Sequence, residues 1–312
     1  MDRMTSLRVF REVVESGSFV AAAGQLGVSA PMASKHVAQL EKDLGARLLH
    51  RSSRHLSLTE AGQAWYEQSR RALDLLDAAE AEIGQKHEAP RGHLKVSAPV
   101  WCATSYFAKA LADYCERFPE VLVEMHLENR KVDLAADGYD LALRVTQEPS
   151  PALIARPLCR LAFHLVATPA YLRRFGTPAT PAELAGLGAI VPTYVSLDSL
   201  ALRGPDGRPS PMRLRPVMKT DDTTLSQHAV LAGIGIAFLP EWAVGEALAS
   251  GRLVCLLPDY GIAPIPMHAV YTSRQYMAPK LRSFIDFLAE RLGSGEKGSQ
   301  RPRQKREQLS NR

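Results

Sequence analysis

The sequence predicts an α/β protein with an N-terminal winged helix-turn-helix, a long helix behind it, and a C-terminal region of alternating strands and helices. Three observations lead to this prediction. Residues 18–59 read as a helix, a tight turn, a second helix and a small basic wing. Residues 59–85 carry apolar side chains at alternating three- and four-residue steps, as in a helix that packs along one seam. Beyond residue 92, strand and helix patterns alternate, which favours an open α/β sheet.

The first three helices are predicted from their caps and their apolar spacing. A leading helix over residues 2–16 would complete a three-helix core. Ser18 is placed to cap the second helix, and Ser29 to cap the third. Pro31 falls in the first turn of the third helix, where its missing N–H costs nothing. The side chains predicted to face the core are Phe19, Ala22, Ala23 and Leu26 in the second helix and Ala33, Val37, Leu40 and Leu44 in the third.

The third helix and the wing are predicted to bind DNA together. The helix has a small tip and a cationic outer face, which fits a major groove. The wing, residues 48–58, offers cations and hydroxyls to phosphates or minor-groove edges. The predicted DNA-contacting residues are Ser18, Ser29, Ala30, Pro31, Met32, Ser34, Lys35, Gln39, Arg51, Ser53 and Arg54. A packed three-helix unit with no DNA-binding role is the alternative that a helix-turn-helix spacing leaves open.

Several short motifs of this region match, in order, those of a known family. They are Gly17-Ser18-Phe19 with Ala21-Ala22-Ala23, Leu26-Gly27-Val28-Ser29, Leu40-Glu41 with Leu44-Gly45, Leu48-Leu49 with Arg51 and Arg54, and Leu58-Thr59-Glu60-Ala61-Gly62. With these motifs, residues 1–58 closely resemble the winged helix-turn-helix domain of LysR-type transcriptional regulators. The family often has a polar side chain at the position of Ala30. We therefore expect more of the readout to rest on Lys35, methyl contacts and DNA shape.

Residues 59–91 are predicted as a linker helix and a hinge. The apolar positions of the helix are Ala61, Trp65, Ala72, Leu75, Leu76, Ala79 and Ile83. A long helix behind a small domain has little of its own chain to pack on, so this stripe predicts a dimerisation seam. Packing on its own domain is the alternative. A homodimer, or a homotetramer built as a dimer of dimers, would then read a two-fold-related DNA site.

The order of elements in residues 92–292 resembles the effector-binding domain of the same regulators. The landmarks are Phe118-Pro119-Glu120-Val121, residues 137–144 and residues 230–240. The resemblance implies a periplasmic-binding-protein-like fold with a first lobe over 92–167 and 268–292 and a second lobe over 168–267. The patterns also predict a strand at 162–167, a short helix at 132–137, a hairpin or surface loop at 197–212 and a strand at 233–240. Residues 293–312 form a basic tail that is predicted to be disordered.

A small-molecule site is predicted where the strand that ends at Ser97 leads into the helix that starts near Thr104. Strand ends and helix N-termini form the clefts of open α/β domains, and the effector sites of the family lie at the matching place. The predicted residues are Ser97, Pro99, Trp101, Thr104, Ser105, Asn129, Arg144, Thr193 and Asp221. Hydroxyls, first-turn N–H groups and a flat apolar wall are available there, and the resemblance to the family's effector sites implies a small carboxylate or an aromatic acid as the effector. Structural roles, such as an ion pair for Arg144 or a cap from Asp221, are the alternatives.

The composition fits a cytoplasmic regulator. The chain has 312 residues, of which 46% are hydrophobic and 23% charged, and this length allows two or three domains. The net charge is +5, and residues 1–58 carry 8 basic against 5 acidic side chains, which favours nucleic acid as a partner. No signal peptide and no stretch approaching about 18 apolar residues is present, so we predict no contact with a membrane. The four cysteines show no paired spacing, so neither a disulfide framework nor a metal site is predicted.

Other function classes find less support. The sequence has no phosphate loop, nucleophile elbow or paired carboxylates, so we predict neither an enzyme nor a cofactor. A solute-binding protein is the second class that the C-terminal pattern leaves open. The expected partners are double-stranded DNA, a small-molecule effector and, if the protein is an activator, RNA polymerase. Cys102 lies near a predicted helix N-terminus and is a candidate redox switch, with a packed, unreactive thiol as the alternative.

Overall fold

An all-helical start with a small hairpin is followed by two regions in which strands and helices alternate. The computed structural model describes residues 2–51, 56–84, 89–130, 132–193, 201–272 and 277–293. The N-terminal elements are α1 (Arg3–Ser16), α2 (Phe19–Leu26), α3 (Ala30–Leu44), β1 (Leu49–Arg51), β2 (Leu56–Leu58) and α4 (Glu60–Gly84). The elements up to residue 192 are β3 (Gly92–Ala98), a 3-10 helix (Val100–Cys102), α5 (Ser105–Arg117), β4 (Val121–Leu127), β5 (Leu141–Val145), β6 (Ile154–Leu161), β7 (Phe163–Ala167), α6 (Pro169–Phe175), a 3-10 helix (Pro181–Gly186) and β8 (Gly188–Pro192). The remaining elements are β9 (Ala201–Arg203), β10 (Pro209–Pro211), β11 (Arg215–Thr220), α7 (Thr223–Leu231), β12 (Ala237–Pro240), α8 (Glu241–Ala249), β13 (Val254–Cys255), β14 (Ile265–Tyr271) and α9 (Pro279–Gly293).

The three N-terminal helices begin at capping side chains. The Asp2 carboxylate accepts from the Thr5 backbone N–H at 2.8 Å, and the Ser18 and Ser29 hydroxyls accept from first-turn N–H groups of α2 and α3. The predicted starts of these helices are therefore confirmed. The prediction that Leu26 is buried is wrong: the side chain is 37% exposed. It is the last residue of α2, whose inward face is made by smaller side chains. The buried apolar residues of α1, α2 and α3 are Val9, Phe10, Val13, Ala22, Ala23, Ala33, Val37 and Leu40.

The long helix α4 is joined closely to the wing and to α1. The Thr59 hydroxyl accepts from the Gly62 N–H at 2.9 Å and donates to the backbone oxygen of Arg47 at 2.6 Å. A Cβ at Gly62 would lie 1.9 Å from the Leu48 backbone oxygen, so only glycine allows this approach. Further along, the Tyr66 hydroxyl donates to Glu15 of α1 at 3.0 Å. Part of α4 therefore packs on its own chain, as in the alternative to the predicted dimerisation seam.

The C-terminal region contains two packed units. Five strands form one sheet in the order β4-β3-β5-β14-β6, with β3 parallel to β4 and β5, and β14 antiparallel to β5 and β6. Helices α5 and α9 pack on the core of this sheet through residues such as Phe107, Tyr114 and Phe284. We call this unit the first lobe. The second lobe contains the sheet β12-β7-β13 and the parallel pair β8 and β11.

Three sequence-based predictions in this region are corrected. Strand β7 pairs with β12 and β13, so residues 163–167 belong to the second lobe and not to the first. The helix predicted at 132–137 is replaced by a turn at residues 134–138. The Asp133 carboxylate caps this turn by accepting from the N–H groups of Ala135 and Ala136, and Gly138, with a positive φ of 80°, prevents it from continuing as a helix. The predicted strand at 233–240 is shorter, since Gly233 turns with φ 79° and β12 begins only at Ala237.

Other predicted elements agree with the structure. The predicted hairpin or loop at 197–212 includes the antiparallel pair β9 and β10. Strand β6 and helix α6 had no sequence-based prediction. Within the described helices, none is long and apolar enough to cross a membrane. The predicted disordered tail lies, apart from Gly293, outside the described residues.

Candidate DNA interface and effector cleft

The first half of α3 presents its tip to solvent. Pro31, Met32 and Lys35 are exposed, and Met32 has 42% of its surface accessible. Ser29 holds the start of the helix, since its hydroxyl accepts from the Met32 N–H at 3.3 Å. Ala30 and Ser34 are partly buried on the flanks of the tip. The arrangement leaves a narrow helix end, with one cation, free to enter a groove.

The back of α3 is fixed by a polar contact that the sequence analysis did not predict. His36 is 8% exposed, and its Nδ1 lies 2.9 Å from the Ser6 hydroxyl of α1. The position falls between Ala33 and Val37 on the buried stripe, so the helical spacing alone could have indicated burial. Because a buried polar group without a partner is costly, this hydrogen bond stabilises one orientation of α3 on α1.

The wing is attached to α3 through one carboxylate. Oε1 of Glu41 accepts from the Leu48 N–H at 2.9 Å and from the Leu49 N–H at 3.2 Å. The wing strands pair so that Arg51 lies opposite Leu56. The backbone of Arg51 is thus placed in β1, whereas Ser53 and Arg54, both predicted to contact DNA, lie outside the described residues.

Two further side chains that were predicted to contact DNA form hydrogen bonds within the chain. The Ser18 hydroxyl accepts from the N–H groups of Val20 and Ala21 at 3.2 and 3.4 Å. The Gln39 side-chain amide donates to Asp43 at 2.7 Å. Ser18 therefore caps α2, and Gln39 keeps its second amide N–H and its amide oxygen for a base or a phosphate.

In the predicted effector site, Ser97 and Arg144 meet on the sheet of the first lobe. Ser97 is fully buried, and its hydroxyl accepts from Nη2 of Arg144 at 2.8 Å. The same hydroxyl donates to Oε1 of Glu128 at 3.2 Å. Burial lowers the pKa of Arg144, and the Glu128 carboxylate opposes that effect. Two predicted residues are thus brought together, but the Ser97 hydroxyl is already engaged on both sides.

Glu128 is the member of this network that the sequence analysis missed. Its Oε1 also accepts from the Tyr139 hydroxyl at 2.7 Å, and its Oε2 lies 2.6 Å from Nε of Arg130. Partial burial favours the neutral acid, but the hydrogen bonds from Tyr139 and Ser97 and the charge of Arg130 outweigh it and lower the pKa of Glu128. Burial and the bond to Glu128 together raise the pKa of Tyr139 to about 12. The signal in the sequence is a carboxylate directly after a strand of the predicted sheet.

Asn129 connects the two lobes. Its Nδ2 donates to the backbone oxygen of Asp221 at 3.0 Å, and its Oδ1 accepts from the Val100 N–H at 3.4 Å. Asp221 and Thr193 are exposed on the second lobe. The cap of α7 is Asp222, whose Oδ1 accepts from the Leu225 N–H at 2.9 Å. The alternative role of Asp221 as that cap is therefore wrong.

Aromatic side chains form the other bridge between the lobes. Trp242 of α8 lies edge-on to Trp101, with ring centroids 5.8 Å apart, and 5.1 Å from the ring of Tyr106. Pro99 precedes the 3-10 helix that carries Trp101. The Thr104 hydroxyl caps α5 by accepting from the Phe107 N–H at 3.3 Å, and Ser105 is exposed in the first turn. The predicted aromatic residue and the helix N-terminus are thus neighbours, but Trp101 is only 8% exposed and Trp242 packs against its ring.

Comparison with known families decides the identity of the chain. Residues 4–63 match the family described as bacterial regulatory helix-turn-helix protein, lysR family. Residues 87–293 match the LysR substrate binding domain. The chain belongs to the LysR family. It is a DNA-binding transcriptional regulator with an effector-binding domain, and the predicted fold class and function are confirmed.

Individual relatives support this assignment over nearly the full chain. An HTH-type transcriptional regulator of Xanthomonas campestris pv. campestris is 35% identical over 300 residues, which cover 91% of this chain and 84% of the relative. CrgA of Neisseria meningitidis is 35% identical over 292 residues, 92% of this chain and 96% of the relative. The CrgA structure aligns with a TM-score of 0.58 at 34% identity and covers 93% of this chain and 98% of CrgA. The full-length structure of the Vibrio cholerae virulence activator AphB aligns with a TM-score of 0.58 at 27% identity, over 94% of this chain and all of AphB. The relatives are transcriptional regulators and not enzymes.

In this LysR-family regulator, the linker helix α4 has two different faces. Tyr66, Arg70 and Leu73 are buried within the chain, and Leu73 is fully inaccessible. Leu75 and Leu76, which belong to the predicted seam, are 51% and 39% exposed. One face of the helix therefore packs on its own chain, and the predicted seam is open only in part, since Trp65 packs on the winged-domain core while Leu75 and Leu76 stay exposed.

The thiol of Cys102 does not suit a redox switch in this regulator. Cys102 is 2% exposed in the 3-10 helix, and Thr104 caps the next helix in its place. Burial raises the pKa of the Cys102 thiol to about 12. Because the thiolate is the reactive species, the structure favours the alternative of a packed, unreactive thiol.

Proposed function

We propose that this LysR-family regulator reads a two-fold-related operator as a homodimer or a dimer of dimers. The tip of α3 enters the major groove, and the wing lies on the phosphate backbone or in the minor groove. The observation that carries this proposal is the exposure of Pro31, Met32 and Lys35 on a helix whose other face is anchored by His36. The DNA contacts proposed from the sequence are retained, with Ser18 acting through the helix that it caps and Gln39 through its second amide N–H.

The open seam of α4 supports the dimer. Leu75 and Leu76 are exposed along one side of a helix of 25 residues, and a helix of this kind gains stability by burying its apolar stripe against a partner. Two chains joined along this seam would present two copies of α3 on one side of a DNA duplex. The division into a DNA-binding domain, a linker and a two-lobed effector domain is part of the same proposal, with the first lobe ending before β7.

We propose further that the effector is a small carboxylate or an aromatic acid bound between the lobes. The first turn of α5 and the guanidinium of Arg144 supply donors there, and Trp242, packed on the ring of Trp101, supplies an apolar wall. The Glu128 carboxylate already interacts with the charge of Arg144, and the Ser97 hydroxyl bridges the two side chains. A bound acid must therefore displace Glu128 or share Arg144 with it. Effector binding would shift the lobes through the Asn129 and Trp242 bridges and thereby the arrangement of the subunits on DNA. The protein acts in the cytoplasm, and it contacts RNA polymerase if it is an activator.

A salt-resolved binding titration tests the proposal. The full-length protein is titrated against its own upstream promoter DNA and against scrambled DNA, with footprinting of both. We expect a protected, two-fold-related site that is bound far more tightly than scrambled DNA, and a footprint that shifts when the right acid is added. Equal, weak and salt-sensitive binding to both DNAs, followed by no enriched site in a selection of genomic fragments, would overturn the assignment of an operator-reading interface.

A further inference from the structure

A cavity lies at the junction between the linker helix α4 and the first lobe. It has a volume of about 180 Å³. Its apolar wall includes Leu75, Leu134 and Leu281, and Arg71 of α4 contributes a guanidinium. None of the residues predicted to bind the effector lines this cavity. It is therefore separate from the cleft between the lobes.

The guanidinium of Arg71 has an unused edge. Its Nη1 donates to the backbone oxygen of Ala135. Its Nε and Nη2 atoms are buried and have no hydrogen-bond partner among the described residues. Nε and Nη2 lie on one side of the planar group, which is the fork that a carboxylate accepts with both oxygens. Gly138 makes room for this placement, since a Cβ there would lie 3.0 Å from Nη2.

The carboxylates around the cavity are engaged with other groups. Asp140 accepts from Arg70 at 2.9 Å and from the Lys95 N–H at 2.8 Å. Asp74 accepts from Lys280 at 2.7 Å. Glu67, one turn before Arg71 on α4, accepts from Gln63 at 2.9 Å through Oε1. Its Oε2 lies near the fork without forming an ion pair with Arg71, since the Cβ position at Gly138 that is 3.0 Å from Nη2 of Arg71 is 3.3 Å from this oxygen. Arg71 is therefore without an ion pair among the described residues, and a buried charged donor of this kind is costly unless an anion joins it.

We propose that this junction cavity binds a small monocarboxylate with an apolar body, such as an aromatic or branched-chain acid. The carboxylate accepts from Nε and Nη2 of Arg71, and the apolar body lies against Leu134 and Leu281. The cavity is large enough for such an acid. An engineered apolar cavity of about 150 Å³ holds a benzene molecule, and the junction cavity measures about 180 Å³. A bound acid touches both α4 and the first lobe, so it stabilises the attachment of the DNA-binding arm to the effector domain.

Fluorine NMR of the full-length protein with para-fluorobenzoate tests the proposal. The matched pair of variants is Arg71→Gln, which keeps the length of the side chain but removes the charged fork, and Arg144→Gln, which alters only the cleft between the lobes. We expect saturable binding to the wild type and at least about tenfold weaker binding at the junction in Arg71→Gln, as for the loss of a charge-assisted pair. Arg144→Gln should leave that binding event unchanged, whatever it does to a second event in the cleft.

A second variant covers the case in which Arg71→Gln does not fold. Ala278→Leu narrows the cavity while Arg71 stays in place, and we expect it to weaken the same binding event. Circular dichroism and the promoter titration without acid show whether each variant is folded and still reads DNA, so failure of this site is distinguished from failure of the proposed function. Binding that persists unchanged in both variants overturns the proposal. So does the absence of any binding sensitive to Arg71 or Ala278 with para-fluorobenzoate, benzoate and isovalerate.

Discussion

Arg70 of α4 and Asp140 of the first lobe form a buried ion pair, in which Nη1 lies 2.9 Å from Oδ2. Arg70 is 2% exposed. Its Nη1 also donates to the backbone oxygen of His93 at 2.9 Å. Lys280 of α9 donates to the same oxygen and to Asp74 of α4. Since α4 follows the DNA-binding helices directly, these contacts, together with the bond from Arg71 to Ala135, attach the DNA-binding half of the chain to the effector domain.

Removing Arg70 should weaken this link strongly. We expect Arg70→Met to destabilise the protein by about 3 kcal/mol or more, because Asp140 is left buried without its counter-charge. Urea unfolding of the wild type, Arg70→Met, Asp140→Asn and the double variant completes a mutant cycle. The double variant should lose clearly less free energy of unfolding than the two single variants lose in sum. Strictly additive losses would show that the two side chains are not coupled.

Lys35 should contribute to specific recognition of DNA. Because it is the exposed cation on the tip of α3, Lys35→Ala is expected to weaken binding to the operator by about 1 to 3 kcal/mol. The matched control is Lys109→Ala, which removes an exposed lysine from α5 in the effector domain. Binding titrations at two salt concentrations separate the two variants. If both bind the operator like the wild type, α3 is not the reading helix.

The close contact at Gly62 should make this position intolerant of any side chain. We expect Gly62→Ala to destabilise the winged domain by about 1 to 3 kcal/mol or more, because its Cβ would overlap the Leu48 backbone oxygen and push α4 away from the wing. Gly24→Ala is the control, since no atom lies within 4 Å of the added Cβ in α2. That substitution should stabilise the helix by about 0.5 to 1 kcal/mol. Equal effects of the two variants in thermal unfolding would contradict this interpretation.

Glu128 should make stability depend on acid pH. Its pKa is lower in the folded protein than in the unfolded chain, so its ionised form stabilises the fold above the unfolded pKa. This contribution is lost as the pH falls through the folded pKa. We therefore expect Glu128→Gln to be less stable than the wild type at neutral pH, and the difference to shrink as the pH is lowered below the ordinary range of a glutamate. Unfolding by urea at a series of pH values measures this difference, and a difference that is independent of pH would count against the role of the carboxylate.

The exposed seam of α4 should hold the subunits together. Leu75→Glu places a charge on a side chain that is 51% exposed in the single chain, and we expect it to shift the protein towards monomers because a dimer would have to bury that charge. Leu26→Glu changes a leucine of α2 that is 37% exposed, and should leave the oligomeric state unchanged. Sedimentation velocity at matched concentrations compares the two. A Leu75→Glu variant that sediments like the wild type would show that the α4 seam is not the dimer interface.

Elements whose signals are local could be predicted from the sequence alone. Ser18 and Ser29 were identified as caps because each accepts from an N–H no more than three residues away. The apolar stripe of α3 was recognised for the same reason, since helical spacing alone decides which side chains share a face. The ordered motifs around these positions were specific enough to indicate the family before any tertiary contact was known.

Contacts between segments that are distant in the chain could not be predicted in this way, because they depend on packing. Strand β7 follows the first lobe directly in the chain, yet it pairs with β12 and β13 because their apolar faces form the second core. Ser97 and Glu128 are 31 residues apart, and Arg70 and Asp140 are 70 apart. From the sequence alone, any of the carboxylates could have been the partner of Arg70. Packing selects Asp140, because a buried guanidinium is stable only where the folded chain brings an acceptor within hydrogen-bond distance.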